Sequence, residues 1–109
     1  MPQEQVLSVA IFHIVEGRET ECLRVLGELH DLLKRKNYSR DLLLRDAKRP
    51  QRIVNVRFWM SEQTRIEAAE DPEVHRCWLR LPELLEMELV LERLDAIPGF
   101  PSQKEELFS

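Results

Sequence analysis

The spacing of apolar residues divides the chain. The run "VLSVAIFHIV", residues 6–15, is continuous and rich in β-branched side chains, which predicts a strand. Glu16 and Gly17 break it. Over 20–36 the period becomes helical. Cys22, Leu23, Val25, Leu26, Leu29, Leu32 and Leu33 share one stripe, while Glu21, Arg24, Glu28 and Asp31 face away. Lys34, Arg35 and Lys36 suit the negative end of the helix dipole, and Asn37 supplies a stop. "YSRDLLLRD" and "IVNVRFWM" predict two more strands, joined as a hairpin through the polar turn "AKRPQR" around Pro50. Ser61 caps a helix that runs through Ala69, and Asp71 with Pro72 opens another. Pro82 ends that helix near Leu81, and "MELVLERL", residues 87–94, forms a fourth strand.

The order is β-α-β-β-α-β, an α+β ferredoxin-like domain over 1–96: a four-stranded antiparallel sheet with its helices on one face. Residues 97–109, "IPGFPSQKEELFS" from position 97, read as an irregular tail.

A lone two-layer domain of this kind should turn a polar sheet face to water. These strands offer none. On the third strand Val54, Val56 and Phe58 point one way, and Ile53, Asn55, Arg57 and Trp59 the other. The first strand sets Val9, Ile11 and Val15 against Ala10, Phe12 and Ile14, and the second carries Leu42, Leu43 and Leu44 in a row. The fourth sets Met87, Leu89 and Leu91 against Val90 and Leu94. Helices cover one face, so the pattern predicts a homodimer with two sheets face to face.

Composition narrows the function classes. The 109 residues are 43% hydrophobic and 33% charged, with a net charge of −4 and the two signs interspersed. That leaves no basic footprint for nucleic acid or an anionic membrane. No apolar run approaches the roughly 20 residues needed to span a bilayer. The start "MPQEQVLSVAIF" lacks a basic region and carries Glu4, so no export signal is expected and the cytosol is the expected location. Cys22 and Cys77 show no paired spacing and read as small buried hydrophobes. Three isolated histidines without carboxylates or thiolates at ligand spacing predict no metal site, and neither a Gly-rich phosphate loop nor a GxSxG is present.

Around the junction of the third strand and the following helix, "VNVRFWMSEQTRIEAAEDPEVHRCW", several side chains carry chemistry. Asn55 and Trp59 share a strand face; the amide offers donor and acceptor, and the indole an apolar wall with one N–H. Arg57 lies between them, either to bind an anionic substrate or to pair with Glu88 or Glu92. His13, on the Val9 and Ile11 side of the first strand, is either a general base or a core histidine. His30 sits at the edge of the first helix's apolar stripe, in a packing role, and His75 lies on the last helix.

Residues 6–96 resemble the dimeric α+β barrel superfamily, and within it the antibiotic biosynthesis monooxygenase-like domains. The likeness rests on "VEGRETECL" at the first strand's end, on the hairpin, on "FWMSEQ" at the third strand's end and on "AAEDPEVHRCW". It implies a cofactor-independent monooxygenase acting on a small aromatic or polyphenolic compound. Asn55 and Trp59 would orient the substrate, His13 or Arg57 would stabilise the anion, and His75 would line the entrance. The alternative is a non-catalytic small-molecule-binding or stress-associated dimer. The chain departs from the quinone-forming members, which carry a tyrosine early in the next helix; here Thr64 and Arg65 stand there. The haem-degrading members are a poorer match, because Trp78 rather than His75 falls at their axial-ligand position. No cofactor is expected.

Overall fold

The computed structural model describes residues 6–99. Four strands, β1 (Val6–Ile14), β2 (Ser39–Arg45), β3 (Arg52–Trp59) and β4 (Leu85–Asp95), form one antiparallel sheet in the order β2-β3-β1-β4. Three helices, α1 (Glu19–Arg35), α2 (Glu62–Glu70) and α3 (Pro72–Leu79), lie on one face. The predicted βαββαβ order and ferredoxin-like class hold, the second crossover consisting of two short helices. The tail beyond Gly99 lies outside the described residues.

Local rules account for the element ends. Gly17 takes φ 83° and Asn37 takes φ 58°, the left-handed conformations that let the chain turn into and out of α1. The Ser61 hydroxyl accepts from the Thr64 amide at 3.1 Å while the Thr64 hydroxyl accepts from the Ser61 amide at 3.0 Å, a reciprocal cap on α2. α3 stops at Leu79, short of the predicted Leu81, because the residue before Pro82 is disfavoured in a helix. β4 consequently begins two residues earlier than its alternation suggests.

The α1 stripe buries Cys22, Val25, Leu26, Leu29, Leu32 and Leu33. One end packs on Phe12, Ile14 and Ile53 and the other on Val6, Trp59 and Val74. The opposite sheet face carries Leu7, Val9, Ile11, Val54 and Val56 at its centre, with Leu44, Leu89, Leu91 and Leu94 exposed on the outer strands. Two register shifts in the β1–β4 pairing revise the expected faces of β4. Met87 pairs with Phe12 and joins Val90 on the helix side, whereas Leu94 pairs with Leu7 and joins Leu89 and Leu91. Among the described residues, no helix is long and apolar enough to cross a membrane.

Asp71 ties α3 to the rest. Its carboxylate accepts from the Glu73 amide at 2.9 Å, from the Tyr38 hydroxyl at 2.7 Å and from Lys36 Nζ at 2.7 Å. Lys36 first, then Tyr38, hold its pKa down to about 2. A carboxyl lowered on folding stabilises the fold above its ordinary 3.8, and that contribution disappears as pH falls towards its folded value. Asp71→Ala should therefore cost roughly 2–3 kcal/mol near neutrality, combining a lost cap with lost charge-assisted hydrogen bonds. Urea titrations should show the gap between wild type and variant narrowing between about pH 4 and pH 2. A gap independent of pH would contradict this account.

Candidate active site

Between the helices and the sheet opens a cavity of about 650 Å³, within the usual range for small-molecule sites. Its walls are mainly apolar: Phe12, Leu26, Leu29, Trp78, Leu85 and Met87. Asn55, Arg57 and Trp59 of β3 all line it, because alternation along an extended strand puts them on the helix face together.

The polar end is organised by Asp41, whose side chain is 1% exposed. The β2–β3 register places Asp41 directly opposite Arg57. Asp41 Oδ2 accepts from Arg57 Nε at 2.7 Å and from Asn55 Nδ2 at 2.9 Å, and Oδ1 accepts from the Ser39 hydroxyl at 3.1 Å. This accounts for the half-buried cation: Arg57 makes the ion pair that its apolar flanks demanded, with Asp41 rather than with Glu88 or Glu92. The guanidinium also lies 5.5 Å from the centre of the Trp59 ring. Nε is spent on Asp41, but among the described residues neither Nη atom has a hydrogen-bond partner.

Asp41 also sets the orientation of its neighbours. A carboxylate opposite Asn55 requires the amide nitrogen on that side, so Asn55 Oδ1 is the atom that meets His30 Nε2 at 2.7 Å. An oxygen acceptor there requires the proton on Nε2, and the same nitrogen lies 3.4 Å from Asp41 Oδ2. Burial first, and then the charge of Arg57, hold the His30 pKa below its ordinary 6.5; Asp41 and the Asn55 hydrogen bond oppose them. Among the described residues, Asn55 keeps one N–H and one lone pair free for a ligand.

Trp59 Nε1 donates to Ser8 Oγ at 2.7 Å, and that hydroxyl donates to the Glu92 carbonyl. The indole N–H is thus already engaged, and Trp59 acts as a wall. Glu92 and Arg65 line the same cavity, Arg65 being paired with Glu62 at 2.7 Å.

His13 and His75 lie elsewhere. His13 shares the opposite sheet face with Val9 and Ile11, where Nε2 meets Glu88 Oε1 at 2.7 Å. Arg52 Nη2 pairs with Glu88 at 2.9 Å, and Arg52 and His13 hold that carboxyl down to about 2. The sheet stands between His13 and the cavity. His75 is exposed on α3, its ring 6.0 Å from that of Trp78, and Trp78 rather than His75 contributes to the lining. Asp41, Ser8 and His30 are the members that sequence reasoning missed. The turn around Pro50 held a signal for Asp41, since a hairpin centred on Arg49 faces it against Arg57; a slip of one residue would have put it on the other face. Among the described residues, no group of three or more His, Cys, Asp or Glu is placed to hold a metal ion.

Known structures share this architecture. SnoaB, a cofactor-independent oxygenase from Streptomyces nogalater, superposes with a TM-score of 0.71 at 20% identity, covering 88% of this chain and 99% of its own. A Shewanella oneidensis protein gives 0.73 at 22% identity over 87% of this chain and 93% of its own. An antibiotic biosynthesis monooxygenase gives 0.72 at 17% identity over 85% and 99%. No protein-family model matches the chain, and no curated protein matches it in sequence. The fold is that of the antibiotic biosynthesis monooxygenase structures, as the residues around "FWMSEQ" implied.

Proposed function

We propose that the protein is a cofactor-independent monooxygenase acting on a small aromatic or polyphenolic compound. The observation that supports this best is the free Nη edge of Arg57 beside Asn55, at the polar end of an otherwise apolar cavity. A hydroxyl-bearing aromatic would lie against Trp59 and Trp78, with its oxygen on Arg57 and Asn55. Donors already fixed by Asp41 favour the oxygen as it becomes an anion, because they need no reorganisation when charge develops. The deprotonated ring passes an electron to molecular oxygen, and the resulting radicals combine. Loss of water then leaves a quinone: one oxygen atom enters the ring, and the other departs with the two hydrogens. The protein contributes orientation and electrostatics.

Oxygen uptake with a panel of dihydroxynaphthalenes is the test. Asn55→Ala should lower kcat/KM by about 10-fold to 100-fold through a lost hydrogen bond to charge. Trp59→Phe, which keeps an aromatic wall, should lower it less. No turnover by the wild type across the panel, together with binding of the same compounds, would favour the non-catalytic reading; His13 and His75 both lie off the cavity, which leaves that reading an argument of its own.

We also propose that the chain works as a homodimer through the sheet face opposite the helices. Several hundred Å² of apolar surface at about 25 cal/mol per Å² makes its exposure costly. Light scattering on a sizing column should give twice the 13.0 kDa chain mass. Val56→Arg should bring it down to one chain, and a wild-type monomer would end the proposal.

A further inference from the structure

We propose that His30 is the proton partner of the cavity's anion site: an oxyanion seated on Arg57 and Asn55 binds together with one proton, taken up by the His30 ring. The inference deepens the reading of this cavity as an oxyanion site and rests on it. The geometry carries it. Asp41 fixes the Asn55 amide, the amide fixes the proton on His30 Nε2, and Nδ1 is left without a hydrogen bond among the described residues. The charged groups facing the ring are Asp41 on β2 and Arg57 on β3, with polar Asn55 between them. The remaining elements give it no hydrogen bond or ion pair among the described residues.

One buried carboxylate serves both Arg57 and His30, and the guanidinium claims it at 2.7 Å against 3.4 Å for the ring. Burial first, and then the guanidinium, hold the ring's pKa below its ordinary value. An anion on the free Nη edge offsets the charge of Arg57 and adds its own attraction for an imidazolium. The ring then accepts a proton at Nδ1 and keeps its Nε2–H on Asn55. For a phenolic ligand the balance is simple. The ligand's O–H bond breaks, the His30 Nδ1–H bond forms through water, and the site carries no net change in protons. His30 is a positioning and charge-balancing residue, since it does not line the cavity.

Calorimetric titration with benzoate tests this in buffers of different ionisation enthalpy, at about pH 6.5, where imidazole ordinarily titrates. Wild type should take up roughly half a proton or more per benzoate, and its affinity should rise as pH falls by up to about tenfold per unit, the limit for one linked proton. His30→Gln keeps an N–H for Asn55 but cannot titrate; it should bind benzoate with no proton uptake and a flat pH profile. NMR titration of the ring protons in the wild type provides a second readout, with the His30 pKa rising on benzoate binding. Benzoate binding without proton uptake, equal uptake by the Gln variant, or an unmoved His30 titration would each overturn the proposal. Failure of benzoate to bind would remove the oxyanion site itself. Oxygen uptake with dihydroxynaphthalenes reports on catalysis separately, and benzoate-linked uptake without turnover would leave the proton partner standing in a binding protein.

Discussion

Asp41→Ala should destabilise the fold by about 3–5 kcal/mol, the usual cost of removing one partner from a buried ion pair. The carboxylate is the shared acceptor for Arg57, Asn55 and Ser39, and its side chain is 1% exposed. Alanine would leave a half-buried guanidinium without a counterion and two more donors unsatisfied. The thermal midpoint should drop by more than about 10 °C for a domain of this size. The double variant Asp41→Ala with Arg57→Met should recover a large part of that loss, because the stranded cation is then gone. Equal destabilisation in single and double variants would mean that Asp41 acts through backbone or packing effects, and a loss below about 1 kcal/mol would show the pair to be marginal.

The second large effect concerns Arg57. Arg57→Met should lower kcat for oxygen uptake by about 10²–10³-fold, as removal of an oxyanion donor from a preorganised site does. Methionine keeps much of the side-chain volume against Trp59, but it leaves the buried Asp41 carboxylate without its counterion, so kcat is compared on a variant whose folding is checked by its thermal midpoint. Arg57→Lys should fail to rescue more than a small part. An ammonium carries the charge, but it cannot hold Asp41 with Nε while presenting a planar fork to the ligand. The same Met variant removes a cation that lowers the His30 pKa, so His30 should titrate higher than in wild type. A variant within threefold of wild-type kcat would take Arg57 out of the chemistry. An unmoved His30 would break the electrostatic link between them.

These expectations depend on residues that differ in how visible they were in the chain. Asn55, Arg57 and Trp59 were recognisable as a set because a strand repeats every two residues, and the apolar alternation around them marks the strand. The caps at Ser61 and Asp71 were equally visible, since capping is a local hydrogen bond between neighbours in sequence. Asp41 and His30 were not. Each joins the site through a partner 14 or more positions away, and only the register of β2 on β3 and the seating of α1 bring them there. Ser8 was hidden for the same reason, its partner Trp59 being 51 positions distant.

The sequence by itself determined the order of the elements, the stripe that α1 buries, the apolar character of both sheet faces and the three β3 side chains that share a face. Those properties follow from periodicity and short-range hydrogen bonding. Tertiary structure decided which face holds the cavity, and so left His13 across the sheet from it, and chose Asp41 as the counterion of Arg57. It also shifted Met87 onto the helix side through irregular pairing with β1. Strand register and helix docking are set by the packing of the whole core, and a displacement of one residue reverses the facing of every side chain on a strand.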